Sequence, residues 1–391
     1  MHRCFIHLAA LTVPAYWRAL ALAPAPSTWE LDRSLRLLSN VKRKTSGKRP
    51  LDLLEDLYDS ESGLTGEGVW HNAHFGAAHL LAARRVGSGP VGKAIAAELR
   101  SSAKRLGDSL YDLNYDDGFR LRTASGVWKT PDAAVESGGE RPSFYEPSRD
   151  RRCVSNAAAV VFYSLLNEDA DDDRIDAIGE KFLDLFFDEK LGRFRRGAVG
   201  DSGPEYWRSV DQAMAILACR RLGGDRASAA AAAAATALRN DFGYGTGRPV
   251  NHLGPFPGTR RRNSWHDAFA VYALALDGDN LVDTMRADYE SEDNGLLAHQ
   301  ARDAGTSPYL GDGSAVHFTC TQAVWGAVGR VTRGKGFETH DAAWRRFDAA
   351  TSRDGLFVVA DAYPNVRLWC NTEPAFWLLV EPDIFASNSL S

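Results

Sequence analysis

The chain has 391 residues, 44% of them hydrophobic and 25% charged, an ordinary balance for a globular protein with a large core. Its net charge of −5 and pI near 6.1 provide no basic surface for nucleic acid, and no apolar run approaches the roughly 20 residues of a membrane-spanning helix. Five cysteines are too few for a disulfide framework in a chain this long.

Residues 1–28 combine a short basic start, an apolar stretch from Cys4 to Val13 and small-residue sites such as Ala23-Pro24-Ala25. The segment resembles a secretory or organelle-targeting leader, which would export or import the protein. His7, Pro14, Trp17 and Arg18 interrupt the run, and the alternative is an N-terminal helix on a cytoplasmic protein. Residues 29–391 read as one domain, opening with the amphipathic stretch WELDRSLRLLSNVKR.

From there two kinds of helix alternate. PLDLLEDLYD, GKAIAAELRSSAKRLGDSLYDL, RIDAIGEKFLDLFFDE, RASAAAAAAATALRND, NLVDTMRADYE and HDAAWRRFDAAT are charged on one face. Such helices bury a stripe and wet the rest. AHFGAAHLLAA, AAAVVFYSLL, AMAILAC, AFAVYALAL, AVWGAVGRV and AFWLLV are apolar nearly all round and must be buried on most sides. The alanine run Ala229–Ala235 is a strong helix former of the first kind, not a linker.

Each apolar helix follows a turn built around an acidic residue and glycine, and opens with a polar or aromatic cluster. A polar residue before the first helical alanine marks a column: Asn72, Asn156, Gln212, Asp267, Gln322 and Glu373. It recurs every 51 to 56 residues, except for 84 between Asn72 and Asn156. That interval holds KTPDAAVESGGERPSFYEPSRD, which reads as an inserted loop. Repetition at this length means one supersecondary unit copied and stacked, here a helical hairpin. Six units predict an all-α ring of six inner helices wrapped by six outer ones. Stretches such as GFRLRTASGVW and GLFVVADAY predict short β-hairpins on the face where outer helices hand over to inner ones.

This pattern resembles the (α/α)6 toroids of the six-hairpin glycosidase superfamily and of the N-acylglucosamine 2-epimerase-like group, over residues 50–381. FFDEKLGRFRRG followed by YWRSVDQAMAIL is the part most similar to the epimerase-like pattern, and HLGPFPGTRRRNSWHDAF is loosely similar to that group's Pro-Gly-His segment.

A ring of inner helix starts projects side chains into one funnel, a natural pocket for a small molecule. Its expected lining suits a saccharide, with aromatic faces for sugar C–H patches and amides and carboxylates for hydroxyl pairs. Substrate-binding candidates are Trp70, Asn72, Asn156, Tyr206, Trp207, Gln212, Trp265, His317, Gln322 and Trp369. Ser155, Ser264, Thr319 and Asn371 read as helix caps.

Two mechanisms fit such a mouth. Glycoside hydrolysis pairs two carboxyl groups, for which Asp211, Asp267 and Glu373 are candidates, with Glu205 in reserve. Epimerisation or isomerisation uses imidazoles to move a proton beside a carbonyl, for which His71, His266 and His317 are candidates. His71 and His266 hold the same place three repeats apart, hence opposite sides of a sixfold ring. Arg260, Arg261 and Arg262 form a loop cluster, either solvated or reaching an anionic substrate group. Cys153, Cys320 and Cys370 fall on one rim, where the readings are buried thiols, a disulfide or a soft metal site.

The chemistry needs no organic cofactor, and the expected partner is a saccharide. Two other readings are a toroid that binds carbohydrate or serves as a scaffold without catalysis, and a terpenoid-type lyase or isomerase, for which no DxDD or DDxxD motif is present.

Overall fold

The computed structural model describes residues 29–43, 68–122, 147–201, 206–254, 262–291, 294–299, 316–332, 337–352, 355–361, 363–366 and 369–385. The expected leader, the helix PLDLLEDLYD, Glu205, Arg260 and Arg261 lie outside the described residues.

Twelve α-helices alternate in the described residues. The inner set is α2 (Val69–Arg85), α4 (Cys153–Ala170), α6 (Ser209–Leu222), α8 (Ser264–Ala275), α10 (Thr319–Thr332) and α12 (Trp369–Leu379). The outer set is α1 (Trp29–Arg43), α3 (Pro90–Asn114), α5 (Arg174–Phe186), α7 (Gly224–Asn240), α9 (Val282–Ala287) and α11 (Phe337–Thr351). Each inner helix packs on the next, and α12 packs back on α2, so the ring closes. The outer helix of the first hairpin is α1, seated on α12 and α2.

Composition dictates which helix goes where. In α4 every residue from Ser155 to Leu166 is buried, because a helix apolar on all sides has no face to give to water. Outer α5 buries Ile175, Ile178, Phe182, Leu183 and Phe186, one stripe at helical spacing. In α7 the buried side are Ala227, Ala230, Ala234, Ala235 and Leu238, so the alanine run is an outer helix as read from the sequence. The join between α6 and α7 is a single residue, Gly223, whose φ of 67° favours glycine.

The expected hairpins decorate the opposite face. β1 (Arg120–Arg122) pairs with β2 (Pro147–Arg151), β3 (Phe187–Asp188) with β4 (Arg193–Phe194), β5 (Trp207–Arg208) with β6 (His252–Leu253), and β7 (Val358–Ala360) with β8 (Tyr363–Val366), all antiparallel. The end of the presumed inserted loop is therefore strand β2. β5 and β6 belong to different hairpins and bring Arg208 opposite His252.

Below the mouth the ring is packed with aromatic rings from α2, α8 and α12. His74 stacks on Phe376 at 4.6 Å, Phe269 meets Trp377 at 5.0 Å, and Tyr272 meets Trp377 at 5.3 Å. At the far end Phe385 is wholly buried and lies 6.1 Å from Tyr272. Arginines at the ends of inner helices hold this tail by its carbonyls: Arg221 Nη1 donates to Ile384 O at 2.7 Å and Arg220 Nη1 to Phe385 O at 3.3 Å. Cations at helix C-termini also complement the exposed carbonyl ends of the helices.

Candidate functional site

The polar column does not line the funnel. Asn156 accepts from Phe119 N at 2.7 Å and donates to Phe119 O at 2.9 Å. Gln212 does the same to Phe194 at 2.8 and 2.7 Å, and Gln322 to Leu297 at 3.0 and 2.7 Å. Each amide clamps both backbone groups of one apolar residue just past the acidic-glycine turn. The sixth member is Asn371, which clamps Phe357 at 2.8 and 3.2 Å, not Glu373. Asn72, also buried, donates to Gly68 O at 3.3 Å. The expected substrate contacts of Asn156, Gln212 and Gln322 are thus corrected: buried backbone groups must be paired, and these amides are consumed in pairing them.

The caps are corrected too. Asn263 caps α8, accepting from His266 N at 2.9 Å, while the Ser264 hydroxyl accepts from Trp325 Nε1 at 2.7 Å. Thr319 donates to Val358 O at 2.6 Å.

Asp211 and Asp267 have no accessible surface. Asp211 takes Arg208 Nε and Nη2 at 2.6 and 2.7 Å and Val154 N at 3.2 Å, tying the third hairpin to the second. Asp267 takes Tyr244 Oη at 2.7 Å, Asn251 Nδ2 at 2.5 Å, Tyr289 Oη at 2.6 Å and Arg262 Nη2 at 2.8 Å. Burial, then the Asp267 charge, pushes both tyrosine hydroxyls well up, so they stay protonated donors. A carboxylate sealed from water persists only when so paired, and the sequence expectation of two reactive aspartates is replaced by two structural ion pairs. Arg262, expected on a solvated or substrate-reaching loop, belongs to this network.

Glu373 is different. Held on α12 with 2% of its surface exposed, its Oε1 accepts from Trp265 Nε1 at 2.8 Å and its Oε2 from Trp70 Nε1 at 3.3 Å. Burial raises its pKa from 4.5 to about 7, against the two indole donors that lower it. Trp70 and Trp265 come from opposite inner helices, yet their rings lie 5.9 Å apart, so they and the carboxyl form a floor across the ring. Around it the buried side chains Trp70, Tyr206, His266, Phe318 and Cys320 retain 6 to 8% exposure, unlike the wholly buried residues deeper in the inner helices.

Imidazoles gather on this rim. The His266 ring lies 5.2 Å from that of His252, and its Nδ1 is buried without a partner. Burial first, then the charge of Arg208, holds its pKa well below the usual range, so it is neutral at neutral pH. The next hairpin contributes His299, 4.6 Å from Phe318, with burial lowering its pKa to about 4. His317 Nδ1 lies 2.5 Å from Asp361 Oδ2, and its backbone N–H donates to Asp361 Oδ1 at 3.0 Å. A carboxylate on Nδ1 selects the tautomer with the proton there, leaving the lone pair on Nε2, which is buried and has no partner. His71 is half-buried, and burial lowers its pKa to about 3. His71 and His266 are on opposite inner helices as expected.

Tyr206 is nearly buried under Arg196, and Trp207 is half-buried under Arg193. Trp369 opens α12, and its side chain is outside the described set. Sequence reasoning missed Arg208, His252, His299 and Asp361. Arg208 carried one signal, its spacing of three from Asp211; His252 lies on the two-residue strand β6 and His299 and Asp361 on loops, with no periodicity. Cys153, Cys219, Cys320 and Cys370 are buried free thiols, and Cys320 and Cys370 share an apolar cluster with Val316, Phe318 and Ala360. Among the described residues no three His, Cys, Asp or Glu side chains converge as metal ligands.

Fold and rim together define an (α/α)6 toroid whose mouth carries one neutral-range carboxyl and several imidazoles over a tryptophan floor. Solved structures sharing this fold include a D-mannose isomerase (TM-score 0.60, 10% identity, covering 91% of this chain and 99% of that one) and the cellobiose 2-epimerase of Spirochaeta thermophila (0.59, 14%, 91% and 99%). A GH76 alpha-mannanase of Bacteroides thetaiotaomicron shares it as well (0.57, 10%, 88% and 94%). No family model and no curated protein matches the sequence.

Proposed function

We propose that this protein is a carbohydrate-active enzyme that isomerises or epimerises a reducing sugar by moving a proton beside its carbonyl. One observation carries the choice over hydrolysis. Of the carboxyls expected to form a hydrolytic pair, Asp211 and Asp267 are filled by internal donors, while His266 Nδ1 and His317 Nε2 have no partner among the described residues. The named activities of the mannose isomerase and the cellobiose epimerase support the same direction.

In this reading His317, oriented by Asp361, or neutral His266 takes the proton from the carbon next to the carbonyl. The C–H electrons form the carbon–carbon double bond, and the carbonyl oxygen takes a proton from Glu373, whose pKa near 7 lets it give and recover one. Return of a proton to the opposite face of the same carbon yields the epimer; return to the former carbonyl carbon yields the ketose or aldose isomer. The indoles of Trp70 and Trp265 offer flat apolar faces to the sugar ring.

The test is incubation with mannose, glucose, fructose and cellobiose in D2O, read by NMR. Deuterium entering at C2 of a new epimer or aldose, or at C1 of a new ketose, supports the reading. Reducing ends released from glycosides without exchange point to a hydrolase, and binding without turnover points to a carbohydrate-binding toroid.

A further inference from the structure

Several arginines near β4 are matched with acids. Arg193 pairs with Asp241 at 3.3 Å, Arg151 with Asp201 at 2.8 Å, and Arg195 with Asp188. The Arg196 side chain makes no hydrogen bond or ion pair with any described residue, and its Nε is buried without a partner. Its guanidinium lies 4.8 Å over the Tyr206 ring. A ring face attracts a cation but does not neutralise it, and a half-buried guanidinium without an anion is costly.

Its position is on the candidate site. Tyr206 is 6.1 Å from His252, which is 5.2 Å from His266. Another cation on this side, Arg208, is already balanced by Asp211. With His266 neutral, Arg196 is a positive charge on this wall of the mouth that no described acid balances.

We propose that Arg196 is the docking point for an anionic group on the substrate, so that the sugar taken is an acidic one bearing a carboxylate or phosphate. This rests on the sugar isomerase reading above. The planar guanidinium matches either group in two-point fashion, and such charge-assisted hydrogen bonds are about twice as strong as neutral ones.

Isothermal titration calorimetry with glucuronate, glucose 6-phosphate and glucose tests it, using the full chain, Arg196→Gln and Arg196→Lys. At least one acidic sugar should bind about tenfold more tightly than glucose. Arg196→Gln should erase that preference without changing glucose binding, and Arg196→Lys should restore part of it. The carboxylate and phosphate arms say which anion is meant. Equal binding of glucose and both acids, equal weakening of all three by Arg196→Gln, or no binding of either acid overturns the proposal. The D2O experiment, extended to glucuronate and glucose 6-phosphate, separates the two readings. Acid-selective binding without exchange leaves the anion site standing and removes the isomerase; exchange on neutral sugars without acid binding does the reverse.

Discussion

Glu373 Oε1 accepts a hydrogen bond from Trp265 Nε1 at 2.8 Å, joining the sixth hairpin to the fourth across the mouth of the ring. The contact keeps a carboxyl dry and directional at the place where the first turns of the inner helices converge.

That burial makes Glu373 a pH-dependent group. Its pKa is raised from 4.5 to about 7, so the folded protein holds the proton more tightly than the unfolded chain. The stability it contributes is complete below pH 4.5 and is lost as pH rises through 7. Glu373→Gln cannot ionise and should gain about 3 kcal/mol relative to wild type between acidic and mildly alkaline conditions. Urea unfolding of both proteins across that span checks this; a difference that stays constant contradicts the burial argument. The variant should also lose isomerisation.

Asp267→Asn keeps the shape but removes the charge facing Arg262, and turns one acceptor into a donor aimed at Tyr244, Tyr289 or Asn251. Breaking a buried pair in this way costs about 3–5 kcal/mol. The expected result is a sharply lower denaturation midpoint. Full stability with lost activity would return Asp267 to the list of reacting groups.

The amide clamps should be separable from chemistry. Gln212→Ala leaves the Phe194 N–H and C=O unpaired and should cost about 2 kcal/mol. Hydrogen exchange at the Phe194 amide is the direct readout: its protection should fall far more than that of amides in α6. Unchanged protection would show that the loop holds itself without the amide.

Asp361→Asn tests the imidazole that it orients. With the tautomer no longer selected, kcat for the sugar identified in D2O should fall about a hundredfold with KM nearly unchanged, within the usual contribution of a general base. A change confined to KM would place the pair in binding instead.

The ring was legible because its inner helices cannot be amphipathic. AAAVVFYSLL or AFAVYALAL has no polar stripe, so only enclosure by neighbours satisfies it, and six such helices alternating with six charged ones leave few arrangements. The column was equally legible as a pattern, but its role was not. Asn156, Gln212 and Gln322 show in the sequence that a polar group opens each inner helix. They do not show whether it turns to the funnel or back to its own loop. The same ambiguity placed Glu373 in a column that belongs to Asn371, two residues earlier.

The sequence by itself determined the architecture and the rim, because hydrophobic periodicity is a local property of each segment and repetition makes it unmistakable. Only the tertiary structure decided which polar residues are spent on folding and which remain for chemistry. Whether Asp267 meets two tyrosines or His317 an aspartate from another hairpin depends on residues tens of positions away. Pairing across such separations leaves no trace in local pattern.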